Sequence, residues 1–253
     1  MLILKRLFIS ALALVLFLAG CSLESPLEKN DNGKSDKKKS DVIIGVSIST
    51  LNNPFFVKVK DGIEKEAKKQ GVKVKFADAQ DDAAKQANDI DDLIQQKVDY
   101  LIVNPTDSDA ISGSIQIAND ESIPVITLDR DVAKGEVASF IASDNIKGGE
   151  MGGELIVDEL GEGAKVAELE GVPGASATRE RGKGFHNIAD KSLDVVSKQS
   201  AKFNRTEGLN VTQNMIQAHP DMEAVFAQND EMALGAVEAI GNKDIKVMGF
   251  DGN

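Results

Sequence analysis

The sequence predicts an α/β protein built as two similar doubly wound parallel-sheet lobes with a hinge and a cleft between them. Three observations carry that expectation. Several apolar runs, such as Tyr100–Val103 and Ala224–Ala227, show no polar alternation, as in parallel strands covered on both faces. Between the runs, apolar residues recur at helical spacing, which gives repeated βα units with right-handed crossovers. The same alternation resumes in the second half of the chain.

Taken in order, the first strand, Val42–Ile48, gives way to Asn52-Asn53-Pro54, where an amide can cap a helix and a proline is tolerated in its first turn. Phe55, Val59, Ile63 and Ala67 then form one buried stripe. A strand at Val72–Phe76 precedes the stripe Ala83, Ala87, Ile90 and Ile94, and a strand at Tyr100–Val103 precedes Ile111, Ile115 and Ala118. Strands at Val125–Leu128 and Val137–Ile141 complete the first lobe, taken as residues 41–143. After a crossover near Ser143–Asn145, the second lobe, residues 144–253, begins with Gly148-Gly149 and Gly152-Gly153 inside an apolar pattern. It continues with strands at Lys165–Leu169, Leu193–Val196, Ala224–Ala227 and Ile245–Phe250.

Residues 1–40 stand apart. Lys5 and Arg6 followed by Leu7–Leu18 form an export signal over residues 1–20, and the uncharged stretch to Gly20 falls short of the ~20 apolar residues that span a bilayer. Cys21 after Leu18-Ala19-Gly20 resembles the lipobox of bacterial lipoproteins, so lipidation at Cys21 and an extracytoplasmic location anchored to the cell membrane are expected. As the single cysteine, it excludes a disulfide within one chain. The rest of residues 21–40 is polar and aperiodic, a solvated tether.

From Asp41 onward, 22 basic and 37 acidic residues leave a net charge of −15, which argues against a nucleic-acid partner. Two histidines and one cysteine leave little for a soft metal site or a Cys/His catalytic pair, and no metal or cofactor is expected. Gly161-Glu162-Gly163 precedes a strand and so fails the dinucleotide-binding context. His186 and His219 read as isolated surface residues. Asp129 and Asp251 could imitate a glycosidase pair, but the neighbouring arginines should keep both ionised and leave no general acid, so no enzyme is expected.

In open parallel sheets, ligands bind beyond the carboxyl ends of the strands. There the sequence places Ser49, Asn53, Phe55 and Phe56, then Asn104, Asp129 and Arg130, and later Arg181, Phe203, Asn229, Phe250 and Asp251. Carboxylates accept, guanidinium groups donate in a planar fork and asparagine does both, so this set suits a polyol whose C–H faces phenylalanine rings can cover. Each residue alone also fits an ordinary turn or a core position.

The runs Ser49-Thr50-Leu51-Asn52-Asn53-Pro54-Phe55-Phe56, Pro124–Arg130, Arg179-Glu180-Arg181-Gly182, Phe226–Gly235 and Gly249-Phe250-Asp251-Gly252 resemble the D-ribose-binding proteins of bacterial ABC transporters, of the type I periplasmic binding protein fold, from about Val42 to the last residue. The resemblance implies that Asn53, Asp129, Arg130, Arg181, Asn229 and Asp251 hydrogen-bond the sugar, that Phe55, Phe56, Phe203 and Phe250 sandwich its ring, and that Ser49 and Asn104 line the cleft. Phe203-Asn204-Arg205 departs from the family's aspartate after that phenylalanine. The resemblance also implies further strands and helices beyond Gly252, with two more crossings between lobes, so both lobes are expected to lack C-terminal elements. Partners implied are D-ribose or a similar monosaccharide and a membrane permease, with the carrier monomeric. Another monosaccharide or sugar-like signal is the alternative ligand. A regulator core of the lactose-repressor kind would need a DNA-binding segment where the signal and tether lie.

Overall fold

The computed structural model describes residues 37–252; the signal segment, Cys21 and most of the tether lie outside the described residues. Local sequence sets the ends of the elements. Strand β1 (Ile43–Ile48) leads through Ser49 to helix α1 (Pro54–Gln70), whose N-cap Asn53 accepts from Phe55 N at 2.9 Å. Pro54 occupies the first turn, where an N–H would have no helical partner, and Gly71 closes the helix with a left-handed φ of 73°. Asp82, Asp144, Asn204 and Asn229 repeat this capping for α2 (Ala83–Gln95), α4 (Asn145–Leu160), α6 (Arg205–Ala218) and α7 (Asp230–Ile240), each accepting from the backbone N–H three residues ahead. The remaining helices, α3 (Ser112–Asp120) and α5 (Ser176–Ser192), lack such a cap.

All nine expected strands form. Besides β1 they are β2 (Lys73–Asp78), β3 (Tyr100–Val103), β4 (Val125–Leu128), β5 (Ser139–Ile141), β6 (Lys165–Glu170), β7 (Asp194–Ser200), β8 (Ala224–Ala227) and β9 (Lys246–Met248). The first lobe carries a wholly parallel sheet in the order β2-β1-β3-β4-β5, with Ile44 opposite both Val74 and Tyr100. The second lobe repeats the pattern as β7-β6-β8-β9. In each sheet the order reverses beside the first strand, between β1 and β3 and again between β6 and β8, and at such switch points the loops diverge and open a crevice. β9 stops at Met248, short of the expected Phe250, whose ring packs on Arg181 instead of continuing the strand.

Each sheet is buried by helices on its faces. Val46, Ile48 and Phe56 form one layer of the first lobe, and Ile90, Leu101, Val103 and Ile115 another. In the second lobe Phe185 of α5 stacks on Phe226 of β8, with centroids 4.3 Å apart and planes 9° from parallel. Each such side chain contributes roughly 1.5–3 kcal/mol by leaving water.

The glycine pairs in α4 serve close packing. A Cβ at Gly149 would lie 2.2 Å from Arg181 O, and one at Gly184 of α5 would lie 2.0 Å from Ile146 O, so the two helices touch backbone to backbone. That contact fixes the height at which α5 presents Arg181. Gly149→Ala is expected to cost about 1–3 kcal/mol through overpacking, despite its gain in helix propensity. Gly62→Ala in α1, where nothing lies within 4 Å of the new Cβ, is expected to stabilise by about 0.5–1 kcal/mol. Urea unfolding of the two variants checks the opposite signs.

Candidate functional site

Both switch points face the same space. Asn53, Phe55, Phe56, Asp129 and Arg130 of the first lobe and Arg181, Phe203, Asn229 and Asp251 of the second line one narrow cavity. Nine of the twelve residues expected to contact a ligand therefore converge, and they come from both lobes. Three of them hold left-handed backbone: Asp129 at φ 62°, Phe203 at φ 57° and Asp251 at φ 122°. Such conformations cost of order 1–3 kcal/mol each and cluster where side chains must be aimed. A Cβ at Gly171 would strike the Phe203 ring at 2.0 Å, so only a bare backbone there lets this ring lie over the end of β6.

Arg130 is 3% exposed, and its guanidinium carbon sits 5.4 Å from the Phe56 ring centroid and 5.1 Å from that of Phe203, one ring from each lobe. Its Nη1 donates to Pro105 O at 3.0 Å, while Nε meets Asp129 Oδ2 at 3.5 Å and makes no hydrogen bond among the described residues. Burial lowers its pKa and Asp129 opposes that shift. Arg181 donates from Nη1 to Gln228 O at 2.6 Å and from Nε to Asn145 Oδ1 at 3.0 Å, with the Phe250 ring 3.8 Å from its guanidinium carbon. Its remaining charge is met by Asp129 Oδ1 at 3.6 Å and Asp251 Oδ1 at 3.5 Å. Asp129 thus joins an arginine of its own lobe to an arginine of the other.

Some expectations change. Ser49 and Asn104 do not line this cavity; they are buried beneath it, where Ser49 Oγ donates to Asn104 Oδ1 at 2.6 Å and Asn104 Nδ2 reaches Leu128 O at 3.0 Å and Asp129 Oδ2 at 3.4 Å. They hold the Asp129 carboxylate from behind. Phe250 covers Arg181 and packs where a Cβ at Gly148 would fall 2.2 Å from its ring, so it backs the site rather than facing the cavity. Asn53 and Asn229 each engage the side-chain oxygen as a helix cap, so the Nδ2 group is the part of each amide free of that task. Burial raises the pKa of Asp251 to about 6, and the pull of Arg181 offsets that rise only in part while Asp129 adds to it.

Sequence reasoning missed Glu168 and Gln228 and misjudged His186. Glu168 lies fully buried in β6, where it takes Gln228 Nε2 at 2.8 Å and sits 2.9 Å from His186 Nε2. His186 is therefore not isolated; its Nδ1 also lies 2.7 Å from Asp190 Oδ1. The Gln228 amide oxygen accepts from Gly171 N at 3.0 Å, and its backbone oxygen holds Arg181. A glutamate inside the apolar run Val166–Leu169 was the available signal, since a carboxylate in a central strand needs a built partner.

Residues 44–253 match the family model described as periplasmic binding protein domain. The chain is 61% identical over 245 residues to the ribose import binding protein of Bacillus subtilis, covering 96% of this chain and 80% of that one. It is 52% identical to the ribose import binding protein of Escherichia coli, over 83% of this chain and 72% of that one. Among solved structures, the Caulobacter myo-inositol binding protein bound to myo-inositol superposes with a TM-score of 0.79 at 33% identity, covering 87% of this chain and 77% of that one. The binding component of the Shewanella arabinose ABC transporter does so with 0.79 at 30% identity, covering 83% and 74%.

The raised pKa of Asp251 sets a sign for pH dependence. The folded state holds this proton more tightly than the unfolded chain, so the group's stabilising contribution is present below its ordinary pKa of 3.8 and is lost as pH rises through about 6. Asp251→Asn is therefore expected to gain melting temperature relative to the parent protein as pH is raised from 4 to 7. Calorimetric scans of both across that window check it.

Proposed function

From the premise that this chain belongs to the family of periplasmic binding proteins, and within it to the binding components of ABC sugar importers, we propose that its ligand is D-ribose, bound in the cavity between the lobes. The observation that carries the reading is the balance of the lining. Arg130 Nε, Arg181 and the Nδ2 groups of Asn53 and Asn229 offer donors, Asp129 and Asp251 offer acceptors, and Phe55, Phe56 and Phe203 offer apolar faces. A pentose needs all three, because each hydroxyl both donates and accepts while the ring C–H faces are weakly apolar.

The binding cycle follows from the lining's division between lobes. A sugar bonded to Asp129 and Arg130 on one side and to Arg181, Asn229 and Asp251 on the other favours the arrangement that brings the lobes together, by its differential affinity for that state. The joined form is the one a permease would recognise. Cys21, outside the described residues, is read as the lipidated anchor that keeps the carrier on the extracytoplasmic face of the membrane. Ser49 and Asn104 act in this scheme by orienting Asp129.

Isothermal titration with D-ribose beside other pentoses, hexoses and polyols tests the proposal, with one-to-one binding and ribose preferred as the expected result. A clear preference for another sugar would keep the site and replace the ligand. Asp129→Asn keeps the left-handed backbone, which asparagine tolerates, but replaces one carboxyl oxygen acceptor by an amide donor, and is expected to weaken ribose binding by about 10- to 100-fold. Cys21→Ser is expected to release the protein from the membrane fraction of the producing bacterium; retention there would contradict lipid anchoring at this residue.

A further inference from the structure

The lobes also touch each other away from the cavity. Ser108 N, in the segment after β3, donates to Gly174 O at 2.9 Å, and Asp131 N, after β4, donates to Ser176 Oγ at 2.8 Å. Both donors belong to the first lobe and both acceptors to the second. None of these residues lines the cavity. Together the two bonds close one rim of the cleft. At the opposite rim Thr50, Asn52 and Asp81 face Lys202, Asn204 and Arg205 across about 640 Å³ of open space.

The first-lobe half of this contact is rigid. Ser108 Oγ donates to Asp131 O at 2.6 Å and Ala133 N donates to Ser108 O at 2.8 Å, which stitches the loops after β3 and β4 into one unit. Asp107 Oδ1 is fixed by Asp109 N and Ala110 N at 2.9 Å each, and that carboxylate lies against Gly174: a Cβ there would fall 2.0 Å from Asp107 Oδ2. The second-lobe half is built for the same contact. Helix α5 starts at Ser176 behind Ala175, which supplies no side-chain cap, and the Ser176 hydroxyl takes its donor from across the cleft. Ser108 is fully buried and Ser176 is 6% exposed, so water does not easily replace either bond.

We propose that Ser108 and Asp131 with Gly174 and Ser176 form a latch that holds the lobes together independently of the sugar and so sets how slowly a bound sugar escapes. Asp131 lies two residues beyond Asp129, and Ser176 lies on the same helix as Arg181, so the latch and the cross-lobe ion pair close in one movement. Exchange of the sugar runs through the opposite rim. The inference rests on the binding cycle proposed above and adds positioning residues to it.

Ser176→Ala, which removes one acceptor, Ser176→Thr, which restores it, and Gly174→Val, which blocks the approach of Asp107, separate the possibilities. Ribose titration, sugar dissociation rates and small-angle scattering with and without saturating ribose are measured on each, with melting temperature as the check on folding. Ser176→Ala is expected to lower affinity about three- to tenfold, mostly through faster dissociation, with Ser176→Thr returning toward the parent value. Gly174→Val is expected to remain expanded with ribose present, at an unchanged melting temperature. Parent-like affinity, dissociation rate and dimensions in both Ser176→Ala and Gly174→Val would overturn the latch. If the parent protein binds no ribose, the proposed ligand falls while the latch is still judged from the ligand-free dimensions: Gly174→Val more expanded than the parent supports it, and equal dimensions refute it.

Discussion

The pairing of Asp129 with Arg130 on its own lobe and with Arg181 on the other is the interaction on which the rest depends. Each arginine is almost fully buried, and a buried guanidinium with nothing to bond is among the costliest groups a protein can hold. The fold around them reads as a set of answers to that cost. Pro105 O, Gln228 O and Asn145 Oδ1 take individual N–H groups, three phenylalanine rings cover guanidinium faces, and Asp129 and Asp251 supply countercharge. A face-on ring contributes roughly 0.5–2 kcal/mol at such a site, which helps offset lost hydration. What protein groups leave unmet, notably Arg130 Nε, is what the proposed sugar ligand would supply.

The support behind this pairing is as specific as the pairing itself. Asn104 and Ser49 hold Asp129 from below; Gly148 makes room for Phe250, and Gly149 for the close crossing of α4 and α5 that sets Arg181. In the second lobe a run of hydrogen bonds passes from Asp190 through His186, Glu168 and Gln228 to Gly171 N, directly under the Phe203 ring. The aromatic wall of the cavity therefore stands on a hydrogen-bonded network that runs from the surface at Asp190 to the buried Glu168 and Gln228. Burial raises the Glu168 pKa, and the Gln228 hydrogen bond and His186 partly offset that rise.

Much of the architecture was legible because parallel strands and helices leave different periods. β3, β4 and β8 fall at their expected bounds, since each is a short apolar run flanked by polar turns. The site was legible as a set because a doubly wound sheet delivers whatever follows its strands to one edge. Individual roles were less so. Nothing in the sequence says that Ser49 and Asn104 bond each other, or that the oxygens of Asn53 and Asn229 serve their own helices, because one residue type suits both tasks. The pKa of Asp251 depends on how deeply its carboxyl is buried against how near Arg181 comes, and spacing along the chain carries neither quantity. The cross-lobe bonds of Gly174 and Ser176 were invisible for the same reason.

The most direct test of the account is a crystal structure of the protein grown with D-ribose. One sugar is expected, with its ring between Phe203 and the pair Phe55 and Phe56, a hydroxyl oxygen within hydrogen-bonding distance of Arg130 Nε, and Asp129 still joined to Arg181. A sugar lodged elsewhere, or one in the cavity that leaves Arg130 Nε without an acceptor, would contradict the claim that these buried charges exist to read a sugar.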